Sequence, residues 1–425
     1  MPPLRFIHAA DLHLDAAFSG LSRDIPADFA ERLRTATFTA FRRLLDLCER
    51  ESPDFLLLAG DVYNQEDASV SAQLALRDGF RRLESLSIPV FLVHGNHDPL
   101  ASRLRSVRWP GNVTVFGELP DAVPVFRKGE GTPLAIIHGA SHASGRETRN
   151  LAALFRRTEA CGLHVGLLHA TPGDADGVAR YAPFSQGDLK ASGMDYWALG
   201  HIHDRREVCR EPLAAYPGCT QGLHINEPGE KGCLLVTAEA RPDGGYAVRT
   251  SFRPLGPAVW KTLDMDLGGA ASLDELENRL RTGLDRAAAE VWSGCEMLLV
   301  RLRLQGRTEL DGLLRKGTTC AELADRLRED GSGVPRIWIK DIDVATRPCV
   351  ERGALLERED LLGEVFRLSE AARTASGLQA LREGPLAPLF AHARAGKALE
   401  PLTDEELARL LDDAESLCLD LLEND

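Results

Sequence analysis

The sequence predicts a layered α/β protein. Five short runs are almost continuous in apolar residues, at residues 5–10, 55–59, 90–93, 165–168 and 196–199. Runs of this kind are typical of strands that are buried on both faces of a sheet. Helix-like stretches with regularly spaced apolar side chains, residues 27–50 and 69–86, separate the first three runs. The repeated order of strand, helix and strand indicates an α/β domain built in layers.

The second half of the chain predicts a smaller α/β domain followed by helices. Strands are expected at residues 261–266, 296–304 and 336–344, and helices at residues 272–291 and 318–328. From about residue 353 the pattern is helical. We therefore expect three parts, residues 1–255, 256–350 and 351–425.

The last predicted helix begins at Thr403. Glu406 follows three residues later, which is the spacing of a capping box. Apolar side chains then recur on one helical face, at Leu407, Leu410, Leu411, Ala414, Leu417 and Leu421. Two interpretations are open: the helix packs on its own domain, or it docks onto a partner protein or a second copy of this chain.

Composition and length favour a globular protein. The chain has 425 residues, of which 44% are hydrophobic and 27% charged, and these values are ordinary for a soluble protein. No stretch approaches the roughly 18 uncharged apolar residues of a membrane span. The first residues lead straight into a strand without a signal-peptide layout, so we expect a cytoplasmic protein without membrane association. Nine cysteines without a C-x-x-C pair make a disulfide framework or a zinc ribbon improbable.

The charge is strongly acidic but unevenly distributed. The net charge is −14, whereas nucleic-acid binding depends largely on basic side chains. Residues 400–425 hold ten acidic side chains against Arg409 alone, so a basic groove elsewhere is still possible. The candidates for such a groove are Arg103, Arg105, Arg108, Arg205, Arg206 and Arg210. Each of them taken singly is equally well explained as a solvated surface arginine.

Short polar clusters follow each of the five predicted strands. They are Asp11-Leu12-His13, Gly60-Asp61, Gly95-Asn96-His97-Asp98, His169 and Gly200-His201-Ile202-His203. In open α/β sheets the functional groups gather outside the carboxyl ends of the strands. The sequence therefore predicts that these clusters meet at one edge of a sheet.

Seven residues in these clusters have the chemistry of metal ligands: Asp11, His13, Asp61, Asn96, His169, His201 and His203. Residues two apart in an extended segment point to the same side, so Asp11 can act with His13, and His201 with His203. If the Asp61 carboxylate bridges two ions, the seven residues provide eight bonds, or four per ion. Mixed imidazole, carboxylate and amide ligation without thiolate suits manganese or iron. We expect two divalent ions, Mn²⁺ first and Fe²⁺ as the alternative, and two such ions can activate water for in-line attack on a phosphate ester.

His97 is the one imidazole of these clusters that the ligand count leaves over. Its natural role is to protonate the leaving oxygen or to stabilise the transition state. Asp98 is the candidate to orient that imidazole, as carboxylates often do for catalytic histidines.

Together the five clusters resemble the signature blocks of the calcineurin-like metallophosphoesterase superfamily. Within it, residues 9–15, 60–63, 195–203 and 216–227 resemble the SbcD-type DNA repair exonucleases, particularly their YhaO-type branch. The likeness extends over about residues 4–255. It implies a four-layer α/β/β/α core, manganese dependence, cleavage of phosphodiester bonds in DNA, and a partner ATPase of the SbcC kind with long coiled coils. It also implies that the domain after residue 255 caps the active site and contacts DNA.

The same likeness implies a division of the ligands between two ions and a catalytic role for His97. One ion would be held by Asp11, His13, Asp61 and His203, and the other by Asp61, Asn96, His169 and His201. The chain departs from several relatives three residues after the bridging aspartate, where it has Asn64 instead of a second histidine. An asparagine can bind a phosphate or a leaving group but cannot donate a proton as imidazolium does. We expect Asn64, Arg103 and Arg205 to contact the substrate.

Three functional classes are open. The leading one is a metal-dependent phosphodiesterase that acts on DNA as an exonuclease or endonuclease. The alternative is a metallophosphoesterase that hydrolyses nucleotides or small phosphodiesters at the same site. The third, a scaffold without activity that binds DNA or the ATPase, is disfavoured because the predicted ligands and His97 are all present.

Overall fold

The computed structural model describes residues 3–21, 25–64, 69–101, 107–127, 129–174, 179–242, 244–329, 333–349, 352–391 and 402–422. The chain forms two compact units. The first consists of Met1–Asp266, Leu276–Leu304 and Leu314–Ala345. The second consists of Leu267–Glu275, Gln305–Leu313 and Thr346–Asp425. The boundaries predicted after residues 255 and 350 stay predictions.

Two six-stranded sheets form the core of the first unit. Its strands are β1 (Leu4–Ala9), β2 (Phe55–Ala59), β3 (Val90–Val93), β4 (Val113–Val115), β5 (Asp121–Val125), β6 (Ala135–Ala140), β7 (Leu163–His169), β8 (Tyr196–Gly200), β9 (Arg206–Arg210), β10 (Leu213–Tyr216), β11 (Gly232–Ala240) and β12 (Tyr246–Pro254). The first sheet has the order β12-β11-β1-β2-β3-β4 and the second β5-β6-β7-β8-β10-β9. Strands β1 to β4 run parallel, as do β6, β7, β8 and β10. Each sheet therefore gathers several carboxyl ends at one edge.

Helices cover the outer faces of both sheets. The helices of this part of the chain are α1 (Ala27–Arg34), α2 (Ala36–Glu51), α3 (Val70–Ser85) and α4 (Gln186–Ala191), with a short 3₁₀ helix at Ala152–Leu154. Phe41 and Phe80 of α2 and α3 pack on the first sheet, whereas Leu189 of α4 packs with Trp197 on the second. Between the sheets lies an aromatic-rich layer that includes Phe6, Phe55, Phe91 and Tyr196. Burial of each such side chain contributes about 1.5–3 kcal/mol, and the resulting α/β/β/α order confirms the predicted fold class.

The predicted helix at residues 27–50 is two helices. The chain turns at Thr35, whose hydroxyl donates a hydrogen bond to the Glu31 carbonyl at 3.0 Å. A hydroxyl that bonds back to the preceding turn competes with the regular backbone pattern and bends helices. The break directs Phe29 and Leu33 of α1 away from the core described above and into a separate apolar cluster.

A smaller α/β arrangement follows the core. Its elements are β13 (Ala258–Asp266), α5 (Leu273–Glu290), β14 (Met297–Gln305), β15 (Arg307–Thr308), α6 (Asp311–Leu314), α7 (Thr319–Glu329), β16 (Arg336–Val344) and β17 (Arg347–Pro348). Strands β13, β14 and β16 form a three-stranded sheet in that order. Trp260, Met297 and Trp338 of this sheet pack with Phe29 and Leu33 in one cluster. The small sheet is thus joined to the first helix of the chain by burial of large side chains.

The second unit ends in helices α8 (Arg352–Leu356), α9 (Leu361–Ala372), α10 (Ala375–Glu383), α11 (Ala387–Ala391) and α12 (Asp404–Leu422). The predicted capping box is present: the Thr403 N–H donates to Glu406 Oε2 at 2.7 Å, and the Glu406 N–H donates to Thr403 Oγ1 at 3.2 Å. Leu419 packs with Leu362 and Phe366 of α9. However, much of the predicted apolar face stays exposed, since Leu410, Leu417 and Leu421 are 43%, 57% and 64% accessible.

The described helices include none that is both long and apolar enough to cross a membrane. All nine cysteines are free thiols, and five of them are buried. The five buried thiols therefore act as small apolar core residues.

Candidate metal centre

The predicted site residues follow the strand ends of two different sheets. Asp11, Asp61 and Asn96 come just after β1, β2 and β3 of the first sheet, and His169 and His201 end β7 and follow β8 of the second. Strand β2 packs against β7 and β8 across the layer between the sheets. The structure thus brings together residues that are distant in the chain, such as Asp11 and His201, which lie 190 positions apart.

Several of these residues have left-handed backbone conformations. The φ angles are +50° at Asp11, +41° at His13, +48° at Asp61 and +103° at His201. Such conformations cost about 1–3 kcal/mol each for residues other than glycine, and they cluster at functional sites. Backbone hydrogen bonds hold them, including Asp11 N–H to Gly60 O and His13 N–H to Asp61 O, both at 3.1 Å. The strained turns direct the side chains inward from the strand ends.

The ligand candidates form two adjoining groups. In the first, Asp11, His13 and His203 place ligand atoms within 4.8 Å of one another. In the second, Asp61, His169 and His201 do the same. Asn96 joins the second group, because its Oδ1 lies 3.0 Å from His169 Nε2 and 3.1 Å from His201 Nδ1. The structure therefore brings all seven predicted ligands into one cluster.

The hydrogen bonds of the imidazoles fix which nitrogen faces the cluster. His169 Nδ1 lies 2.9 Å from the Ala59 carbonyl, and His201 Nε2 lies 3.2 Å from the Ala179 carbonyl. His203 Nδ1 lies 2.5 Å from Glu227 Oε1, and His13 Nδ1 lies 2.6 Å from the Asn64 side-chain oxygen. These oxygens accept, so each of these nitrogens carries a hydrogen and the other ring nitrogen faces the site.

This arrangement fits a bound cation. His13 Nε2 and His203 Nε2 lie 3.1 Å apart and share one hydrogen, which belongs to His203 because its contact with Glu227 raises the His203 pKa despite burial, whereas burial keeps His13 neutral. A divalent cation can replace such a shared proton, since metal binding to imidazole releases the proton that the ligand nitrogen carried. Oxygen and imidazole donors on the remaining sides match the preferences of divalent metal ions.

Burial and mutual charge shift the pKa values within the cluster. Burial lowers the pKa of His13 to about 4 and that of His201 to about 3. Burial also raises the pKa of Asp11 to about 6. At His169 burial is outweighed by the nearby Asp61 carboxylate, which raises the pKa to about 9, and the same contact lowers the pKa of Asp61 despite its burial. His13 and His201 therefore remain neutral near pH 7, as metal ligands must be.

His97 and Asp98 occupy different environments. The His97 side chain is exposed, and its ring stands edge-on to that of His13 at 5.2 Å between centroids. The backbone N–H of His97 donates to Asp61 Oδ1 at 2.9 Å. The Asp98 carboxylate is buried and accepts from Val62 N–H at 3.0 Å and Gly95 N–H at 2.7 Å. Asp98 thus joins the loop that carries Asp61 to the loop that carries Asn96 through these two hydrogen bonds. Within the described chain no hydrogen bond joins Asp98 to His97, so its orienting role stays a prediction.

The three candidate substrate contacts differ in position. Asn64 lies against His13, as described above, and so positions a predicted ligand. Arg205 is exposed, and its guanidinium carbon lies 4.0 Å from the centre of the Phe252 ring. Arg103 lies outside the described residues, as does Arg105.

Sequence reasoning missed Glu227 as part of the site. Its carboxylate accepts from His203 Nδ1–H and also from the Leu223 N–H at 2.6 Å, and its contact with His203 lowers the pKa of Glu227 to about 2 although burial opposes this. Glu227 stands in the segment 216–227 that resembles the SbcD-type proteins, and that likeness was the signal that could have found it. Cys219 lies near both residues, but burial raises the pKa of its thiol well above the usual value, so it is a neutral neighbour rather than a thiolate ligand.

Glycines provide the space in which the side chains meet. A Cβ at Gly95 would overlap Asp61 Oδ1 and approach the His169 ring, and a Cβ at Gly60 would lie 2.5 Å from His169 Nδ1. A Cβ at Gly200 would collide with the Ala59 carbonyl oxygen. The glycines in three of the predicted clusters are therefore required by close packing as well as by the turns.

Comparison with known proteins agrees with this geometry. The model of the calcineurin-like phosphoesterase family matches residues 4–205, and that of the middle domain of metallophosphoesterase YhaO matches residues 260–347. The uncharacterized metallophosphoesterase YhaO of Bacillus subtilis is 34% identical over 388 residues, which cover 90% of this chain and 91% of that protein. The chain belongs to the calcineurin-like metallophosphoesterase family. Members of this family use divalent metals.

More distant relatives include proteins named for DNA repair. The DNA double-strand break repair protein Mre11 of Aeropyrum pernix is 28% identical over 316 residues, 68% of this chain and 69% of that protein. The protein of the same name from Haloferax volcanii is 24% identical over 390 residues, 87% of this chain and 78% of that protein. The likeness to calcineurin-like metallophosphoesterases therefore includes both YhaO and Mre11 proteins.

We predict that Gly95→Ala abolishes metal binding with little loss of fold. The added methyl group displaces Asp61 or His169, which are both fully buried and cannot move outward. Metal content after dialysis against Mn²⁺ should fall by at least one ion per chain, with an unchanged circular dichroism spectrum. Gly117→Ala is the control, because a Cβ there meets no atom within 4 Å. Equal metal content in the two variants would contradict the packing argument.

A second prediction concerns Glu227→Gln. The amide still accepts the His203 hydrogen bond but removes the negative charge that makes His203 a stronger donor to a cation. Changes of this kind typically cost about 10–100-fold in metal affinity or activity, and calorimetric titration with Mn²⁺ measures the affinity. Glu239→Gln, an exposed glutamate on β11, is the matched control. Wild-type affinity in Glu227→Gln would show that the contact is only structural.

Proposed function

We propose that the chain is a two-metal-dependent phosphodiesterase that cleaves DNA. The observation that carries the proposal is the convergence of seven donor side chains from two sheets, with the outer nitrogen of all four imidazoles already bound to an oxygen. A site pre-organised in this way binds metal ions without rearranging its own ligands. The family membership supports the hydrolysis of phosphoesters.

The residues divide into two sets that share one carboxylate. Asp11, His13, Asp61 and His203 would hold one ion, and Asp61, Asn96, His169 and His201 the other. When bound, the two ions neutralise charge on the phosphate and lower the pKa of water. Mn²⁺ fits the donor set best, with Fe²⁺ as the alternative.

The chain's own groups provide the rest of the chemistry. His97 has an exposed imidazole beside His13, and its backbone N–H is tied to the shared Asp61. It can therefore reach a bound phosphodiester and donate a proton to the leaving oxygen, a step worth about 10²–10⁴-fold in rate. Asp98 supports it indirectly by holding the loop that carries His97.

DNA is the proposed substrate because the relatives named Mre11 are DNA double-strand break repair proteins and because of the likeness to SbcD-type nucleases. The alternative substrates are nucleotides or small phosphodiesters, which the same metal site can hydrolyse. DNA and small phosphodiesters can be distinguished by their size, because only a polymer extends beyond the metal centre and contacts side chains outside it.

We predict that metal-free protein reconstituted with Mn²⁺ degrades an end-labelled linear duplex or a single-stranded oligonucleotide. His97→Ala should lower the rate by about 10²–10⁴-fold and retain the metal, whereas Asn96→Ala should lose both activity and metal affinity. Asn278→Ala, an exposed change on α5, is the control. The lengths of the labelled products show the direction in which the strand is digested.

The result on small substrates decides between the two candidate functions. Hydrolysis of bis(4-nitrophenyl) phosphate without any cleavage of DNA, even with an SbcC-type ATPase and ATP present, would assign the enzyme to small phosphodiesters. If a protein that holds two ions hydrolyses neither substrate, the result would support the third class, a scaffold without catalytic activity.

We also propose that the second unit docks onto the coiled coil of an SbcC-type ATPase. Leu410, Leu417 and Leu421 of α12 are exposed at spacings of seven and four residues, and Leu361 and Leu368 of α9 repeat the seven-residue spacing. Spacings of this kind form the seam of a coiled coil. A second copy of this chain is the other candidate for the same face.

Replacement of Leu410, Leu417 and Leu421 by serine should abolish co-purification with the SbcC-type ATPase of the same organism. Leu389→Ser, a similarly exposed leucine on α11, is the control and should leave the complex intact. Light scattering on the chain alone tests whether a second copy of this chain binds the same face. A wild-type dimer that the triple variant converts to monomers, with ATPase binding unchanged, would assign the face to self-association.

A further inference from the structure

Two arginines lie at the edge of the second sheet where the predicted metal ligands His201 and His203 are found. Arg205 and Arg206 follow His203 directly after Asp204, and Arg206 pairs with Tyr216 at the end of β10. Strand β10 is parallel to β8, so both arginines lie at the edge where His201 and His203 lie. The Cys219 N–H donates to the His203 carbonyl at 3.2 Å. At Gly218 a Cβ would approach Arg205 N to 3.1 Å, so the backbone of the arginines is closely packed against the site.

Aromatic rings hold both guanidinium groups. Arg205 lies over Phe252 of β12, with 4.0 Å from the guanidinium carbon to the ring centre, and Arg206 lies over Tyr216 at 5.7 Å. The Tyr216 hydroxyl donates to the Ala170 carbonyl at 2.6 Å, next to His169. Since Phe252 belongs to the edge strand of the first sheet, Arg205 spans the open side between the two sheets. Stacking of this kind restricts a long side chain and leaves its N–H groups free for a ligand.

Neither arginine has a carboxylate partner among the described residues. Many other arginines do, for example Arg43 with Glu296, Arg127 with Asp54 and Arg149 with Glu147. The two acidic neighbours in the chain have other hydrogen-bond partners. Asp204 binds the Lys231 ammonium at 3.0 Å, and Glu207 accepts from the Thr250 hydroxyl at 3.4 Å.

A small cavity separates the two edge strands at this place. Its volume is about 280 Å³, and its lining includes Arg205, Arg206, Glu207, Thr250 and Phe252. A volume of this size suits one nucleotide of a single strand, which would contact the two arginines and, at the same strand end, Glu207. Guanidinium groups with free N–H pairs match the two oxygens of a phosphate, and their planes also stack on bases.

From these observations we propose that Arg205 and Arg206 bind a phosphate of a single DNA strand next to the one that is cleaved, guiding the strand out between β9 and β12. This inference rests on the proposed action on DNA and adds the path and the form of the substrate. The unpaired charges are then the binding groups for a backbone phosphate. A small aryl phosphodiester does not extend that far and would not depend on them.

The test compares Arg205→Gln/Arg206→Gln with wild type in binding of a fluorescein-labelled oligothymidylate, measured by anisotropy over a series of salt concentrations with Ca²⁺ in place of Mn²⁺. We expect roughly tenfold weaker binding at low salt, and a salt slope smaller by about 0.7 for each phosphate that the variant no longer neutralises. Arg77→Gln/Arg81→Gln is the matched control. It removes the same net charge from α3, where both arginines pair with Asp78, and should leave the binding unchanged.

Hydrolysis of bis(4-nitrophenyl) phosphate shows whether the metal site is intact in each variant. Wild-type turnover of this ester together with weaker DNA binding supports the proposal. If wild type binds and cleaves DNA and the Arg205/Arg206 variant does so with equal affinity and salt slope, the inference is wrong and the proposed function stands. If wild type hydrolyses the ester but neither binds nor cleaves DNA, the proposed function fails and this inference fails with it.

Discussion

The structure depends on the close approach of two sheet edges. His169 from the second sheet donates a hydrogen bond from Nδ1 to the Ala59 carbonyl of the first at 2.9 Å, and Gly200 lies directly against that carbonyl. Gly60 and Gly95 leave the room that the His169 ring fills. Without this approach the ligand groups of the two sheets would be separate half-sites. One strand-to-strand contact therefore sets the position of the whole metal centre.

Much of the fold and most of the cluster could be predicted because their signals are local. Each ligand candidate stands within a few residues of an apolar strand, and parallel strands deliver their carboxyl ends to one edge. The partners of the imidazoles could not be predicted in this way. Ala59 and Ala179 contribute only carbonyl oxygens, which have no side-chain signature, and Glu227 reaches His203 from 24 residues further along the chain.

Other differences between the predicted and the observed helices arise where two local interactions compete. The helical pattern of residues 27–50 continues through Thr35, but the hydroxyl there bonds to Glu31 and the chain divides into two helices. In α12 the apolar stripe predicts one buried face, whereas Leu419 and the charged pair of Glu415 with Arg352 orient the helix against its neighbours. Leu410 and Leu417 are left exposed as a result. A stripe read from spacing alone cannot show which of its members a neighbouring helix covers.

The site is also compatible with the binding of the proposed polyanionic substrate by an acidic chain. Within the cluster, Asp11 and Asp61 are buried among four imidazoles, and the opposing effects of burial and charge leave His169 with a raised pKa and His13 and His201 with lowered ones. The negative charge there is thus directed at cations and faces away from solvent. At the surface the acidic excess is concentrated in the second unit, and many carboxylates are paired with arginines. Arg205 and Arg206 stack on aromatic rings beside the predicted ligands and have no carboxylate partner among the described residues, so their positive charge is available to the phosphates of the proposed substrate.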